Sequence, residues 1–299
     1  MAGLLVDEDG DVMARSSAET PADDAEATMK TIFQVADELR ISGIPVAIGI
    51  GAAGMVDFAA GVMRWAPNLA WSELPIRDRV SEQMELPCVV DNDANAAAWG
   101  EYRFGTARGY RHALMVTVGT GIGGGIVADG ALYRGAHGFA AEIGHVIVEP
   151  GGPECGCGNR GCWEQVASGH ALGRLGRLAV EARPDSGIAL LAAGDEVTGY
   201  HVAEAAMQGD PVATEIFTQV ARRLGEGIAG LVNILDPEVV VVGGGVAEVG
   251  DLLLEPARAA FLAAVEAPDH RPEVPILPAA LGNDAGAIGA AALALELGE

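Results

Sequence analysis

Lysine is almost missing from this chain: Lys30 is the only one among 18 basic residues, set against 42 acidic ones. The formal net charge of −24 excludes a broad basic face, and with it the ordinary routes to nucleic acid or an anionic membrane surface. A phosphate loop of the G-x-x-x-x-G-K-[ST] kind is excluded too, because Lys30 stands in no such motif. Half of the residues are hydrophobic, yet no apolar run approaches the roughly 20 residues that a membrane span needs. The opening residues lack the basic start and small-residue cleavage site of a secretory signal, so the thiols are expected to stay reduced in the cytoplasm. The 299 residues suffice for two domains with full cores.

Cysteine is scarce but concentrated. Three of the four cysteines fall in Cys155-Gly156-Cys157 and Cys162-Trp163-Glu164, with nine residues between Glu142-Ile143-Gly144-His145 and Cys155. Zinc takes four tetrahedral ligands, and Cys3His is among its sets. Cys155 and Cys157 stand too close in sequence for an easy disulfide with each other. The spacing therefore predicts a closed structural zinc site at His145, Cys155, Cys157 and Cys162, and the flanking carboxylates suggest that it staples a reactive site.

Strands and helices alternate as in an α/β protein. Ala2 to Val6 and Val12 to Ser17 read as a hairpin. Thr20-Pro21 reads as a helix start, with the helical spacing running to Leu39. Val46 to Ile50 reads as a buried strand ending in Gly51-Ala52-Ala53-Gly54, Pro75 to Glu85 as a helix, and Cys88 to Val90 as a strand delivering Asp91-Asn92-Asp93. A small-residue helix follows from Ala94. Ala113 to Val118 is a strand, Gly119 to Gly125 a glycine-rich loop, and Ile126 to Tyr133 a hairpin about Asp129-Gly130. Gln165 to Leu235 reads as mostly helical. Val239 to Val242 is an apolar strand running into Gly243-Gly244-Gly245. A helix at Leu252 to Val265, a strand at Val274 to Leu277 and a last helix from Asn283 to Leu297 complete the chain.

Glycine loops placed directly after strands invite phosphate, because bare backbone N–H groups can approach an anion. Gly119-Thr120-Gly121-Ile122-Gly123-Gly124 formally matches G-x-G-x-x-G, but a strand-like hairpin follows it where the dinucleotide fingerprint needs a helix. A nucleotide phosphate site of another kind fits better. Among the acids, either Asp91 or Asp93 can serve as helix cap or as base on the residues alone.

These stretches together resemble the ROK family (repressors, open reading frames and kinases), and within it bacterial glucokinases of the actinobacterial kind. The matching residues are Gly119 to Gly125, Tyr133-Arg134-Gly135-Ala136-His137-Gly138, Glu142 to His145, the three-cysteine loop with Glu164, Asn92-Asp93-Ala94-Asn95, Pro67-Asn68-Leu69, Gly243 to Gly245 and Asn283-Asp284-Ala285-Gly286. The resemblance implies an actin-like ATPase fold, ribonuclease-H-like, with two domains around a cleft. Residues 1–107 with the terminal helix 283–299 would form the small domain, and 108–282 the large one with the zinc loop. It further implies phosphorylation of glucose at the 6-hydroxyl, with Asp93 as general base. Gly54, Asn68, Asn92, Glu142, His145 and Glu164 would bind the sugar. Gly119, Thr120, Gly121, Gly123 and Gly244 would hold ATP with Mg²⁺. His145 would serve twice, with one ring nitrogen on zinc and the other on the sugar. A homo-oligomer, dimer or tetramer, is expected.

One departure stands out. Family kinases open with a strand running into Asp-x-Gly-Gly-Thr, which this chain lacks; its first residues match the family's second strand. The expectation is a late start or a truncated, inactive sugar-binding form. The rival activities are an N-acetylhexosamine or fructose kinase of the same family, a repressor with an N-terminal winged helix, and a zinc dehydrogenase. A closed Cys3His site leaves that last one no open metal position.

Overall fold

The computed structural model describes residues 1–298. The chain opens with a hairpin of β1 (Ala2–Val6) and β2 (Val12–Ser17), paired antiparallel. Helix α1 (Ala25–Arg40) follows. It begins later than Thr20-Pro21 suggests, because the Asp24 carboxylate accepts from the Glu26 and Ala27 N–H groups and caps it there. Strand β3 (Ile48–Ala52) is set two residues beyond the expected Val46, which is exposed. Three short strands, β4 (Met55–Asp57), β5 (Val62–Trp65) and β6 (Ser72–Leu74), form an antiparallel sheet too brief to show alternation in sequence. Helix α2 (Ile76–Met84), β7 (Cys88–Asn92) and α3 (Asp93–Phe104) come next.

Strand β8 (Ala113–Val118) leads to β9 (Ile122–Ala128) and β10 (Ala131–Leu132), which turn on Asp129-Gly130. The expected glycine loop is thus cut short: only residues 119–121 lie between the strands, and the later glycines sit inside β9. Gly125 is there because a Cβ would meet the Ala98 Cβ at 2.4 Å and the Ala94 carbonyl at 2.8 Å. Beyond the cysteine loop run α4 (Glu164–Ala167), α5 (Gly169–Ala182), α6 (Gly187–Ala192), α7 (Gly199–Met207) and α8 (Pro211–Leu235). Then follow β11 (Val239–Gly243), α9 (Asp251–Ala264), β12 (Ile276–Pro278), two residues later than expected, and α10 (Ala285–Leu295). Among the described residues no helix is long and apolar enough to cross a membrane.

The chain divides into two compact units. The first takes Met1–Met115, Gly125–Ala141 and the segment from Asn283; the second takes Val116–Gly124 and Glu142–Gly282. In the first, β3 pairs parallel with β7, so that Ala52 lies beside Asn92 at the strand ends. Met29, Val56, Met63, Trp71, Ile76, Val80 and Val90 form its core. Helix α10 packs against α3 and β3 backbone to backbone. A Cβ on Gly289 would stand 1.7 Å from the Ala96 carbonyl oxygen, and one on Gly49 would stand 1.8 Å from that of Ala290. In the second unit the order is β8-β11-β12, with β11 and β12 parallel. Phe217, Val220, Leu224 and Ile228 of α8 bury against Leu253, Leu254 and Phe261 of α9.

Candidate functional site

In the first unit the candidate residues gather where β7 meets α3. Asp91, Asn92 and Asp93 are consecutive and do three different things. Asp91 is buried and ion-paired: its Oδ2 accepts from Arg134 Nε at 2.7 Å, while its Oδ1 accepts from the Asn92 N–H at 2.8 Å and the Asn95 amide at 3.2 Å. Asn92 is the helix cap, accepting from the N–H groups of Ala94 and Asn95, and its own amide donates to the Gly54 carbonyl at 3.1 Å. Asp93 opens α3 and presents an exposed residue surface. Desolvation by the surrounding protein pushes its carboxyl above the ordinary range, opposed by the Ala94 N–H at 3.0 Å. Gly54 holds φ +142° with no space for a Cβ, which would lie 2.5 Å from the Trp65 carbonyl oxygen. Asn68 is exposed between β5 and β6.

Arg134 went unassigned in the sequence, although it stands within a motif quoted above. Only the folded chain brings it to Asp91, 43 residues away, and sets its guanidinium 3.7 Å over the Phe58 ring.

In the second unit His145, Cys155, Cys157 and Cys162 place their ligand atoms within 4.8 Å of one another. The Cys157 and Cys162 sulfurs are 3.6 Å apart, as are the Cys155 sulfur and His145 Nδ1. A tetrahedral zinc with Zn–S of about 2.3 Å would hold two sulfurs about 3.8 Å apart, so the donor set and its edges fit that ion. The nitrogen in reach is Nδ1, which leaves Nε2 for a second partner. Burial pushes the Cys155 thiol up to about 12; a bound zinc reverses this by favouring the thiolate. The loop is anchored from beneath: Trp163 is buried, its indole donates to the Arg223 carbonyl at 2.9 Å, and Arg223 pairs with Glu149 at 2.8 Å.

Glu164 stands between this cluster and the glycine turn. Its Oε1 accepts from Cys155 at 3.2 Å, and a Cβ on Gly121 would lie 2.4 Å from its Oε2. Glu142 is exposed, and its carbonyl accepts from the His145 N–H at 3.1 Å. The Gly119–Gly121 turn closes by a bond from Gly119 N to Gly121 O and leans on α5, whose Gly169 and His170 N–H groups donate to the Gly119 and Thr120 carbonyls. Gly244 ends β11 at φ +87°, tight against the Val118 carbonyl. Gly123 lies apart from the turn, inside β9, where its N–H donates to Thr117 Oγ1 at 3.2 Å.

The ROK family profile matches residues 1–297. A glucokinase of Streptomyces coelicolor is 42% identical over 300 residues, spanning 99% of this chain and 94% of that protein. The crystal structure of a ROK family glucokinase from Streptomyces griseus, in complex with glucose and AMPPNP, matches with a TM-score of 0.90 at 43% identity, over 98% of this chain and 95% of that one. A putative xylose repressor of a Caldicellulosiruptor species is 38% identical over 238 residues, 78% of this chain and 60% of the repressor.

Proposed function

The chain belongs to the ROK family, with the actin-like α/β fold of its sugar kinases, and from that premise we propose that it transfers a phosphoryl group from ATP to the 6-hydroxyl of glucose. One observation supports the assignment of the base: Asn92 caps α3 and Asp91 is held by Arg134, so of the two carboxylates Asp93 is the one whose partner is a neighbouring backbone N–H, that of Ala94. Its raised pKa brings proton affinity closer to neutral pH, as a base needs. Asp93 accepts the 6-hydroxyl proton as that oxygen attacks the γ-phosphorus and the bond to the β,γ-bridging oxygen breaks, with ADP leaving.

Glu142, His145 and Glu164 accept from or donate to sugar hydroxyls, with Asn92, Gly54 and Asn68 completing the set. The nucleotide phosphates take backbone N–H groups of Thr120 and Gly121, while Gly119, whose own N–H closes the turn on Gly121 O, and Gly244 let the backbone come close. Gly123 contributes only its small size, its N–H being committed to Thr117. With Lys30 alone as lysine, Mg²⁺ bound with ATP would supply the neutralising charge. His145, Cys155, Cys157 and Cys162 would hold a structural zinc, which would fix the His145 tautomer and the loop between Glu142 and Glu164. A reaction that consumes ATP supports a cytoplasmic location.

Kinetics of Asp93→Asn test this. Asn keeps a hydrogen bond to the hydroxyl but accepts no proton, so kcat should fall by about 10² to 10⁴ while glucose still binds. A wild-type protein that binds glucose yet phosphorylates no hexose would make it a sugar sensor; a preference for fructose or an N-acetylhexosamine would move the substrate within the family.

A further inference from the structure

We propose that Arg134 is the positioning residue of the phosphoryl transfer, holding the turn that presents Asp93 by way of Asp91; this rests on the kinase reading above. Asp91 exposes 1% of its side chain and Arg134 exposes 21%. A buried ion pair is a poor device for stability alone, since well-packed apolar residues commonly serve as well or better. What the pair does here is local. The Arg134 contact aims Asp91 so that its other oxygen receives the Asn92 N–H and the Asn95 amide. Asn95 Oδ1 has no hydrogen-bond partner among the described residues, so Asp91 alone orients that buried amide.

Arg134 is itself held. Its guanidinium lies on the Phe58 ring at 3.7 Å. Four residues further on, Gly138 at φ +89° packs so closely on the Val56 carbonyl that a Cβ would stand 2.5 Å away. The segment after β10 is thus bolted to β4 and to the turn ahead of α3. Without Arg134, Asp91 loses the partner that fixes its orientation. Its rotation withdraws an acceptor from the two groups that shape the turn, and a reacting group misplaced by about 1 Å can cost up to about 10²-fold in rate.

Arg134→Gln, Arg134→Lys and the double variant Asp91→Asn/Arg134→Gln decide it, with turnover expressed per glucose-binding site counted by titration. Arg134→Gln should lower kcat per site about 10- to 100-fold and move glucose KM less than about threefold. Arg134→Lys, which keeps the charge but loses the planar fork, should recover part of kcat and remains informative if the Gln variant does not fold. The double variant should be no slower than Arg134→Gln, because Arg134 acts through Asp91. Wild-type kcat per site in Arg134→Gln, or losses that multiply in the double variant, overturn the inference, as does a defect confined to the number of competent sites. A wild-type protein that turns over no hexose overturns the kinase reading instead, before any variant is compared.

Discussion

A single methyl group added at Gly121 should damage sugar binding while leaving the fold nearly untouched. Its Cβ would lie 2.4 Å from Glu164 Oε2 and 3.5 Å from Cδ. Ordinary contact begins near 3.4 Å, so the carboxylate oxygen must withdraw by about 1 Å. The group displaced is the free end of a side chain, and moving it off its preferred rotamer costs about 0.5–1.5 kcal/mol. Gly121 has no left-handed backbone to lose, so Ala there also restricts the unfolded chain and returns about 0.4–1 kcal/mol. The two nearly cancel, and the melting temperature should move by a few degrees at most. Function should not cancel. Glu164 is assigned to the sugar and Gly121 to the nucleotide turn, yet Gly121→Ala should raise glucose KM about 10- to 100-fold and ATP KM by less than about threefold. Thermal melts, glucose titration and coupled-assay kinetics with each substrate varied would measure this. An unchanged glucose KM with a raised ATP KM would remove Glu164 from the sugar set and refute the reasoning.

Purified protein should carry about one zinc per chain by elemental analysis, and Cys157→Ser should lose both metal and glucose affinity. Structural zinc can contribute on the order of 10 kcal/mol to ordering its loop; freshly prepared, reduced protein without zinc would end that reading. The acid limb of kcat should report the raised Asp93 carboxyl, activity falling as pH drops through it, because the base must be ionised. The same shift has a stability sign. Below the ordinary carboxylate range both folded and unfolded forms are protonated and nothing is lost; above it the unfolded chain ionises more readily, so the cost of Asp93 to the fold grows with pH up to its raised pKa and stays constant beyond it. Asp93→Asn should therefore melt higher than wild type near neutral pH and no higher near pH 3, and a lower melt at neutral pH would contradict the assigned shift.

The cysteine cluster was readable because its ligands are close in sequence and chemically rare. The apolar runs at Ala113 to Val118 and Val239 to Val242 were equally plain, being buried strands. Residues 119–125 were not, since a strand made of glycines carries no side-chain alternation; what puts Gly125 in β9 is the approach of Ala98 and Ala94 from α3. The division of labour among Asp91, Asn92 and Asp93 was likewise hidden. Any of the three suits a helix cap by residue type, and only Arg134, 43 positions from Asp91, shows which carboxylate is already engaged.

The contact of α10 with α3 and β3 has a consequence for motion. Where Gly289 meets Ala96 and Gly49 meets Ala290, peptide group lies on peptide group, and no rotamer stands between them to rearrange. Packed side chains can take up a displacement by hopping; backbone against backbone passes it on undiminished. Helices α3 and α10 should therefore fluctuate as one stiff body, and Asp93, the first residue of α3, inherits that stiffness. If Asp93 is the base proposed above, the entropy needed to hold it still is surrendered once, when the chain folds, and is not asked for again at each turnover.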